Sequence, residues 1–336
     1  MIPANPILSS VHVSLINFFS ALLLAVSFLL LGMSQAFSQN TEITETWQWP
    51  DERWRDAVNK VRAGDELVPE RWPQNSRVAV ALSFDFDSET LSLRTGITTP
   101  SMLSSGQYGA RVGVPKILAL LEKYEIPATF FIPGVSAELY PQQVRNIASG
   151  DHEIGLHSWI HEATPTLARD DERMLMQRAM ETLQRISGQQ PVGIRTGAWE
   201  YSENTLELIE EFDLLYDSSL MADDNPYELL ADDQPTGIVE LPVEWILDDY
   251  PYFGMDRLSA IRPHMTPNEV LEIWSAEFDR AYAEGGLFLL TMHPQLIGHG
   301  SRIQMLEELI QYIRSYPDVW FATHKDVANV AASLIE

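Results

Sequence analysis

The sequence predicts an α/β protein whose main domain is a distorted (β/α) barrel of about seven or eight strands. Short apolar runs alternate with amphipathic helical stretches along most of the chain, and polar residues of a few types follow several of those runs. A doubly wound open sheet is the alternative, but the glycine-rich phosphate loop expected after its first strand is missing. The pattern therefore favours the barrel.

The predicted strands are short apolar runs bounded by polar or turn residues. They are Val78–Phe84, Ala128–Ile132, His152–Leu156, Val192–Arg195, Leu214–Tyr216, Ile238–Leu241, Leu287–Thr291 and Val319–Ala322. The predicted helices between them are Pro115–Tyr124, Arg169–Ile186, 267–283 and Ser301–Ile313. Thr266, Pro267 and Glu269 have the spacing of a capping box at the start of the third helix.

Composition restricts the class of partner. The 336 residues are 45% hydrophobic, which is enough for a sizeable core, and the formal net charge is −26. This charge argues against nucleic acid or an anionic membrane surface as a partner. The chain has no cysteine, so disulfides and thiolate metal ligands are excluded. A metal ion must therefore be held by His, Asp, Glu or water.

The amino terminus carries the pattern of a targeting signal. Residues 11–33 are almost wholly apolar, and small residues at alternate positions follow them, in Ser34-Gln35-Ala36 and Ala36-Phe37-Ser38. The pattern predicts a signal peptide over residues 1–38, although no Lys or Arg precedes Arg53. Because the apolar run is long enough to cross a bilayer, an uncleaved membrane anchor is the alternative. In both cases we expect an exported protein, periplasmic or extracellular.

Residues 39–75 are predicted to form an N-terminal extension, and residues 76–336 the main domain. The extension lacks a long periodic run. It contains Trp47, Trp49, Trp54 and Trp72. Aromatic residues spaced in this way can line a sugar site, but more often they fix a segment to the surface of a domain, and we expect the second role.

Charged side chains recur where the predicted strands end. Asp85 and Asp87 follow the first strand, and four more strand ends carry such a residue. These residues are His157, Arg195, Asp217 and His293. A single Asp after a strand is usually a turn or cap residue. The carboxyl ends of parallel barrel strands meet at one rim, however, so the recurrence predicts a shared site.

Two pairs among these residues have the spacing of a metal site. Asp85 and Asp87 are two positions apart, so in an extended chain both carboxylates face the same side. One can bind a metal ion while the other remains free as a base. His157 and His161 are four positions apart, so a helical turn after the strand would place both imidazoles on one face. Two imidazoles and one carboxylate leave open positions on a metal for water and substrate.

These residues resemble the motifs of the polysaccharide deacetylases of carbohydrate esterase family four, and in particular a branch similar to peptidoglycan deacetylases and allantoinase-like proteins. The resemblance covers about residues 76–330, and its most specific part is His157-Ser-Trp-Ile-His161, which matches the H-S/T-x-x-H metal motif. The other similar segments are Ser83–Asp87, Tyr108–Pro115, Ala128–Gly134, Tyr216–Leu220 and Thr291–Pro294.

The resemblance implies a role for each residue of the site. Asp87, His157 and His161 would bind one divalent metal ion, with zinc expected and cobalt, nickel or iron also accepted by such ligands. Asp85 would be the general base, and His293 the general acid. The family also has an acid that supports the catalytic histidine, and it has no clear match here. The candidates are Asp217, Asp248 and Asp249.

The third motif of the family usually reads R-x-P-x-W, and here it is Arg195-Thr-Gly-Ala-Trp199. The resemblance implies that Arg195 orients the base and that Trp199 forms a wall of the substrate pocket. Gly197 replaces the usual Pro, and we expect this change to loosen the loop.

The implied activity is metal-dependent hydrolysis that removes acetyl groups from N-acetylated, or O-acetylated, glycans such as peptidoglycan or chitin-like oligosaccharides. One alternative is an amidohydrolase that opens a cyclic imide or ureide, although the two histidines argue against a metal-free allantoinase. Another is a catalytically inactive barrel that binds glycan. The segment Ser88–Gly113 is predicted to be either a lid or a contact between copies of the chain in a homo-oligomer.

Overall fold

The computed structural model describes residues 45–255 and 265–335. The predicted signal peptide or anchor, residues 1–38, lies outside the described residues. Among the helices that the structure describes, none combines the length and the apolar composition needed to cross a membrane. The chain divides into two compact units, one that ends at Arg55 and one that begins at Asp56.

The described residues form ten β-strands and a series of helices that mostly follow them. The strands are β1 Arg62–Glu66, β2 Val78–Asp85, β3 Thr129–Ile132, β4 Glu153–Leu156, β5 Gly193–Ile194, β6 Tyr216–Asp217, β7 Tyr227–Ala231, β8 Gln234–Glu240, β9 Leu287–Met292 and β10 Val319–Ala322. The α-helices are α1 Asp51–Asn59, α2 Thr90–Leu93, α3 Pro100–Tyr108, α4 Val114–Tyr124, α5 Gly134–Leu139, α6 Pro141–Ala148, α7 Arg169–Ser187, α8 Thr205–Glu211, α9 Tyr250–Phe253, α10 Pro267–Glu284, α11 Pro294–Ile297, α12 Gly300–Arg314 and α13 His324–Ala332.

The strands belong to one sheet, which closes into a distorted barrel. Its order is β1-β7-β8-β6-β5-β4-β3-β2-β10, and β9 also pairs with β2. Along this order, pairing is parallel between β2, β3, β4, β5, β6 and β8. Strand β7 is antiparallel to β8, and β1 is antiparallel to β7. A parallel bridge between Asp248 and Thr291 joins the chain after β8 to β9 and closes the ring. The predicted fold class is confirmed.

Strand β2 shows why the barrel interior can hold a polar site. Its side chains alternate, with Val80, Leu82 and Phe84 in the apolar core against the helices. The intervening positions belong to the other side of the sheet, where Ala79 and Ala81 pack in a second, smaller cluster. Small alanines at the start of the strand leave space in the barrel, and the same alternation brings Asp85 to the inner face at its end.

All eight predicted strands are present, with ends that lie within four residues of the prediction, and Val319–Ala322 matches at both ends. Two further strands, β1 and β7, were not predicted. The sequence of β1, Arg62-Ala-Gly-Asp-Glu66, is polar, and most of its residues are exposed because it lies at the edge of the sheet. An edge strand needs no apolar run on either face, so periodicity does not detect it.

The tryptophans of the predicted extension differ in their surroundings. Within the first unit, the indole N–H of Trp54 donates to the carbonyl of Thr46 at 3.1 Å. Within the second unit, Trp72 is 1% exposed and stacks on Trp320 at 6.0 Å between ring centroids. Its indole N–H donates to the carbonyl of Gly285. For Trp72 the expected role of fixing a segment to a domain therefore holds. The predicted boundary at residues 75 and 76 remains a prediction.

The segment Ser88–Gly113, predicted to be a lid or an oligomer contact, is packed into the domain through glycines. A Cβ atom at Gly106 would lie 2.3 Å from the backbone of Ser88, directly after Asp87. A Cβ atom at Gly113 would lie 2.2 Å from the carbonyl oxygen of Pro294, directly after His293. Gly113 thus packs against the residue that follows His293, while Gly106 packs within the segment on the residue that follows Asp87, and only glycine permits either close approach. The role of the segment as a lid or an oligomer contact stays a prediction.

Replacing Gly113 by alanine is expected to destabilise the fold by about 1–3 kcal/mol, because the new methyl group meets backbone that cannot move freely. Urea denaturation measures the free energy of unfolding. Gly300→Ala is the matched control, since a Cβ atom there meets nothing within 4 Å. Equal stability of the two variants would contradict the packing described here.

Replacing Thr266 by alanine is expected to lower the free energy of unfolding by about 1 kcal/mol, because its hydroxyl accepts the backbone N–H of Glu269 in the predicted capping box. Thr99→Ala is the control. Thr99 also precedes a helix that starts with proline, but its side chain makes no cap hydrogen bond. Similar losses in both variants would show that the capping bond contributes nothing.

Candidate metal centre and active site

The residues predicted from strand ends converge on one rim of the barrel. Asp85 and Asp87 come from the end of β2, His157 from β4, Arg195 from β5 and His293 from β9. All five side chains are buried, with at most 7% of each residue exposed. Parallel pairing of these strands brings their carboxyl ends together, as expected for a barrel.

Asp87, His157 and His161 form a buried cluster. Their potential ligand atoms all lie within 4.8 Å of one another. The Nε2 atom of His157 is 3.3 Å from Oδ1 of Asp87, and Nε2 of His161 is 4.0 Å from the same oxygen. The structure therefore brings together the three residues that the sequence analysis had proposed as metal ligands.

The two histidines do not reach this cluster by a helical turn, so that prediction was wrong. Residues 157–161 form an irregular bend in which Ser158 and His161 have positive φ angles of 63° and 61°. The carboxylate of Glu162 accepts the backbone N–H groups of Trp159 and Ile160 and stabilises the bend. Tertiary contacts and this local carboxylate, not helical periodicity, direct the second imidazole inward.

The donor set of the cluster fits a divalent cation. Asp87 Oδ1 and His157 Nε2 are buried, and neither has a hydrogen-bond partner among the described residues. The other ring nitrogen of His157, Nδ1, lies 2.7 Å from the carbonyl oxygen of Arg195. A carbonyl can only accept, so Nδ1 carries the proton and Nε2 keeps a free lone pair. Buried orphan atoms of this kind are satisfied when a cation lies between them.

The electrostatics of Asp87 and His161 agree with cation binding. At His157, burial lowers the pKa, but Asp85 and Asp87 outweigh burial and raise it, so a cation that binds there must compete with a proton. Burial opposes ionisation of Asp87, but His157, His161 and His293 outweigh burial and lower its pKa well below the usual range. Burial lowers the pKa of His161 to about 4, so this imidazole is neutral near pH 7. An anionic carboxylate and a neutral imidazole are the forms that bind metal.

Asp85 is held by a salt bridge with Arg195. The Nη1 atom of Arg195 lies 2.8 Å from Oδ1 of Asp85, and both side chains are buried. The other carboxylate oxygen of Asp85, Oδ2, lies 3.7 Å from Nε2 of His157, beside the cluster. Arg195 thus orients the carboxylate that the sequence analysis had named as the base.

Every N–H of Arg195 has an acceptor. Nε donates to the carbonyl of Ser218, Nη1 to Asp85 and to the Ser83 hydroxyl, and Nη2 to the Ser218 hydroxyl and to Nε2 of His324. The ring of Phe131 lies against the guanidinium, 4.2 Å from its carbon. Five acceptors and one aromatic face fix the guanidinium in a single orientation.

His324 was missed by the sequence analysis, although the signal was present. It lies two residues after β10, much as His157 directly follows β4, so the strand-end pattern extends to it. It is fully buried, and burial together with the charge of Arg195 lowers its pKa well below the usual value. A neutral imidazole is what Arg195 requires, since only the neutral ring can accept its N–H.

His293 is supported by Asp249, which resolves the alternatives left by the sequence. Its Nδ1 donates to Oδ1 of Asp249 at 2.7 Å, and its backbone N–H donates to the same carboxylate. Asp248 lies further away, with its Oδ1 3.5 Å from Nδ1. Nε2 of His293 faces the cluster and lies 3.6 Å from Oδ2 of Asp87. Asp217 is not part of this arrangement.

Three aspartates raise the proton affinity of His293. Burial alone would lower the pKa of this imidazole, but Asp248, Asp249 and Asp87 outweigh burial and raise the pKa well above its usual value. Burial, against the attraction of His293, raises the pKa of Asp248 to about 7. These neighbours therefore favour the imidazolium form of His293, in which Nε2 carries a proton directed toward the cluster.

A cavity of about 640 Å³ opens beside these groups. Asp85, His161 and His293 reach it from the cluster. The other lining residues are Leu91, Arg94, Ala198, Trp199, Trp245, Asp248, Tyr250 and Pro251. Trp199 lies against Trp245 with 4.1 Å between ring centroids, so the predicted wall residue is in place and has a partner that the sequence did not suggest.

Gly197, which was expected to loosen its loop, lies instead in a firmly held turn. Its N–H donates to the Ser158 hydroxyl, and the N–H of Ala198 donates to Nε2 of His161 at 3.3 Å. A Cβ atom at position 197 would lie 3.0 Å from Nδ1 of His161. The missing side chain therefore lets the turn lie directly against an imidazole of the cluster.

Known proteins resemble this chain in sequence and in structure. A family model for polysaccharide deacetylases matches residues 99–216. A peptidoglycan deacetylase of Helicobacter pylori is 28% identical over 279 residues, which span 75% of this chain and 95% of that protein. A crystal structure from Mycobacterium smegmatis, described as a polysaccharide deacetylase, is 37% identical with a TM-score of 0.74 and covers 80% of this chain and 95% of its own.

The structure of an allantoinase, Puue, is also similar, with 24% identity and a TM-score of 0.69 over 81% of this chain and 98% of that chain. At this identity the likeness shows a shared fold alone. The Mycobacterium relative is both more similar and covered almost completely. The chain therefore belongs to the polysaccharide deacetylase family, and it is a hydrolase.

Proposed function

We propose that this protein removes acetyl groups from an N-acetylated glycan by metal-dependent hydrolysis. The observation that carries the proposal is that three sets of groups meet at one cavity: the cation cluster, the carboxylate held by Arg195, and the histidine held by Asp249. Hydrolysis of an amide needs a site for an activated water, a base and an acid, and these sets supply one each.

Asp87, His157 and His161 would hold the metal ion. When bound, a divalent cation supplies a Lewis acid that activates water and polarises the acyl oxygen. Asp85 lies beside the cluster with Oδ2 directed toward His157, while Oδ1 is engaged by Arg195. Oδ2 is therefore the oxygen that would accept a proton from the attacking water.

His293 would deliver the second proton. An amine is a poor leaving group until it is protonated, so the reaction needs an acid near the scissile nitrogen. Asp249 holds the Nδ1–H of His293 and leaves the proton on Nε2 directed toward the cluster. The charge of the aspartate also stabilises the imidazolium before the proton is transferred.

The cavity supports a sugar as the substrate. Trp199 and Trp245 offer aromatic faces, on which the apolar face of a pyranose packs well, and Asp248 and Arg94 offer polar groups at the same wall. Relatives named as peptidoglycan and chitooligosaccharide deacetylases support an acetylated glucosamine unit as the group that enters. The alternative activity is opening of a cyclic imide, and a panel of substrates distinguishes it from deacetylation of a glycan.

We also propose that the protein acts outside the cytoplasm, where cell-wall glycan is found. The apolar run at residues 11–33 and the small residues after it support export. Fusion of residues 1–38 to a reporter that is active only after export would test this part of the proposal separately.

Replacing Asp85 by asparagine is expected to lower kcat by about 10²–10⁴-fold, because the amide cannot accept a proton, while its oxygen still accepts from Arg195. Acetate release from acetylated chitooligosaccharide, peptidoglycan and xylan, measured beside ring opening of small imides, provides the readout. Asp56→Asn, an exposed aspartate that does not line the cavity, is the control. Unchanged glycan binding and unchanged function in Asp85→Asn would favour the inactive glycan-binding barrel.

We propose zinc as the metal, since one carboxylate and two imidazoles form a typical zinc set. Chelator treatment should abolish acetate release, and zinc, cobalt, nickel or iron should restore it to different extents. Asp87→Ala and His157→Ala should each weaken metal binding by more than about 10-fold, measured by elemental analysis after dialysis. Full metal content in both variants would place the metal elsewhere.

A further inference from the structure

Asp217 and Glu240 form a buried pair of carboxyl groups, the acid pair, that the catalytic mechanism does not use. They are register partners at the ends of β6 and β8, and both are fully buried. The backbone N–H of Ser219 donates to both, at 3.2 Å to Asp217 Oδ2 and at 2.9 Å to Glu240 Oε1. The N–H of Leu220 also donates to Glu240 Oε1. One donor shared by two carboxyl groups holds them together.

No cation balances the acid pair within the described part of the chain. None of the ion pairs there includes Asp217 or Glu240. The Oε2 atom of Glu240 is buried, and no N–H or O–H group there donates a hydrogen bond to it. The ionisable groups that interact with the pair are the hydroxyls of Tyr201, on the chain after β5, Tyr216, on β6, and Tyr227, on β7. Two anions in contact without a cation are too unfavourable in such surroundings for both to be ionised.

We propose that the acid pair shares one proton, carried by Glu240 and donated to Asp217, and that this hydrogen bond positions the active-site turn 195–199. Asp217 and Glu240 are thus positioning residues. The effect on catalysis through the turn 195–199 rests on the proposed function, whereas the presence of the shared proton does not.

The route from the acid pair to the active site is a short series of hydrogen bonds. The Ser219 hydroxyl donates to Asp217 Oδ1 at 2.8 Å and accepts the backbone N–H of Thr196 at 2.9 Å. Thr196 follows Arg195, which binds the proposed base Asp85, and precedes the part of the turn whose Ala198 N–H contacts His161. A change in charge at Asp217 therefore acts on the backbone that carries both contacts.

The pH dependence of stability follows from the same arrangement. Burial and the neighbouring Asp217 raise the pKa of Glu240 well above its ordinary value of 4.5, and burial raises the pKa of Asp217 to about 6. The folded protein thus keeps a proton that the unfolded chain releases above pH 4.5. Stability contributed by the protonated pair is complete below that pH and is lost as pH rises toward the folded pKa.

Glu240→Gln tests the proposal, because glutamine keeps the shape and donates from its amide in place of the shared proton. The melting temperature of Glu240→Gln relative to the natural protein is expected to rise as the pH increases from 5, because glutamine has no proton to lose where Glu240 gives up its own. Glu240→Ala, which removes the donor, is expected to lower kcat at neutral pH by about 10-fold or more, with Glu240→Gln within about twofold of the natural protein.

Infrared spectroscopy provides a signature of the proton itself. The carbonyl band of a protonated carboxyl group is expected at neutral pH in the natural protein and in Asp85→Asn, and reduced in Glu240→Gln. An unchanged band in Glu240→Gln, or a melting-temperature difference that does not vary with pH, would overturn the proposal. If Glu240→Ala does not fold, the melting temperature and the infrared band of Glu240→Gln still test the proposal.

These measurements separate the inference from the proposed function. The melting temperature and the infrared band require no turnover, so they test the shared proton even if no glycan is deacetylated. If acetate is released but Glu240→Gln loses as much activity as Glu240→Ala, the positioning role is wrong while the proposed function stands.

Discussion

Arg195 places a permanent positive charge in the barrel interior, where it has no contact with solvent, and Asp85 is the carboxylate that pairs with it at 2.8 Å. A buried guanidinium is tolerated only when its charge and all its N–H groups are satisfied. Ser83, Ser218 and His324 complete that requirement. Removing one partner of such a pair typically costs about 3–5 kcal/mol. The same contacts that prevent this loss also fix the direction of the Asp85 carboxylate.

The rest of the site is arranged around that fixed carboxylate. The carbonyl of Arg195 accepts from Nδ1 of His157 and so selects the tautomer that offers Nε2 to a cation. The turn that follows Arg195 contacts His161 and carries Trp199 to the wall of the cavity. One short segment therefore orients Asp85, two candidate ligands and one side of the cavity, which explains why it needs support from Ser218 and Ser219 behind it.

The side of the site that carries His293 is held in place independently of Arg195 and Asp85. Asp249 accepts both the ring Nδ1–H and the backbone N–H of His293, so the carboxylate fixes the position and the charge of the same residue. Gly113 packs on the carbonyl of Pro294, directly after that histidine. Asp85 and His293 thus belong to two separately stabilised arms, and substitutions in one are expected to leave the geometry of the other largely intact.

The sequence by itself determined the barrel class, the eight parallel strands and the strand-end residues Asp85, Asp87, His157, Arg195 and His293, because alternation, strand length and the strand-end rule are local signals. Only the tertiary structure decided that Asp249 supports His293, that Asp217 pairs with Glu240, and that residues 157–161 bend instead of forming a helix. These outcomes depend on which buried groups meet across strands. Sequence spacing carries no record of that, since neighbours such as Asp248 and Asp249 are chemically identical until packing separates them.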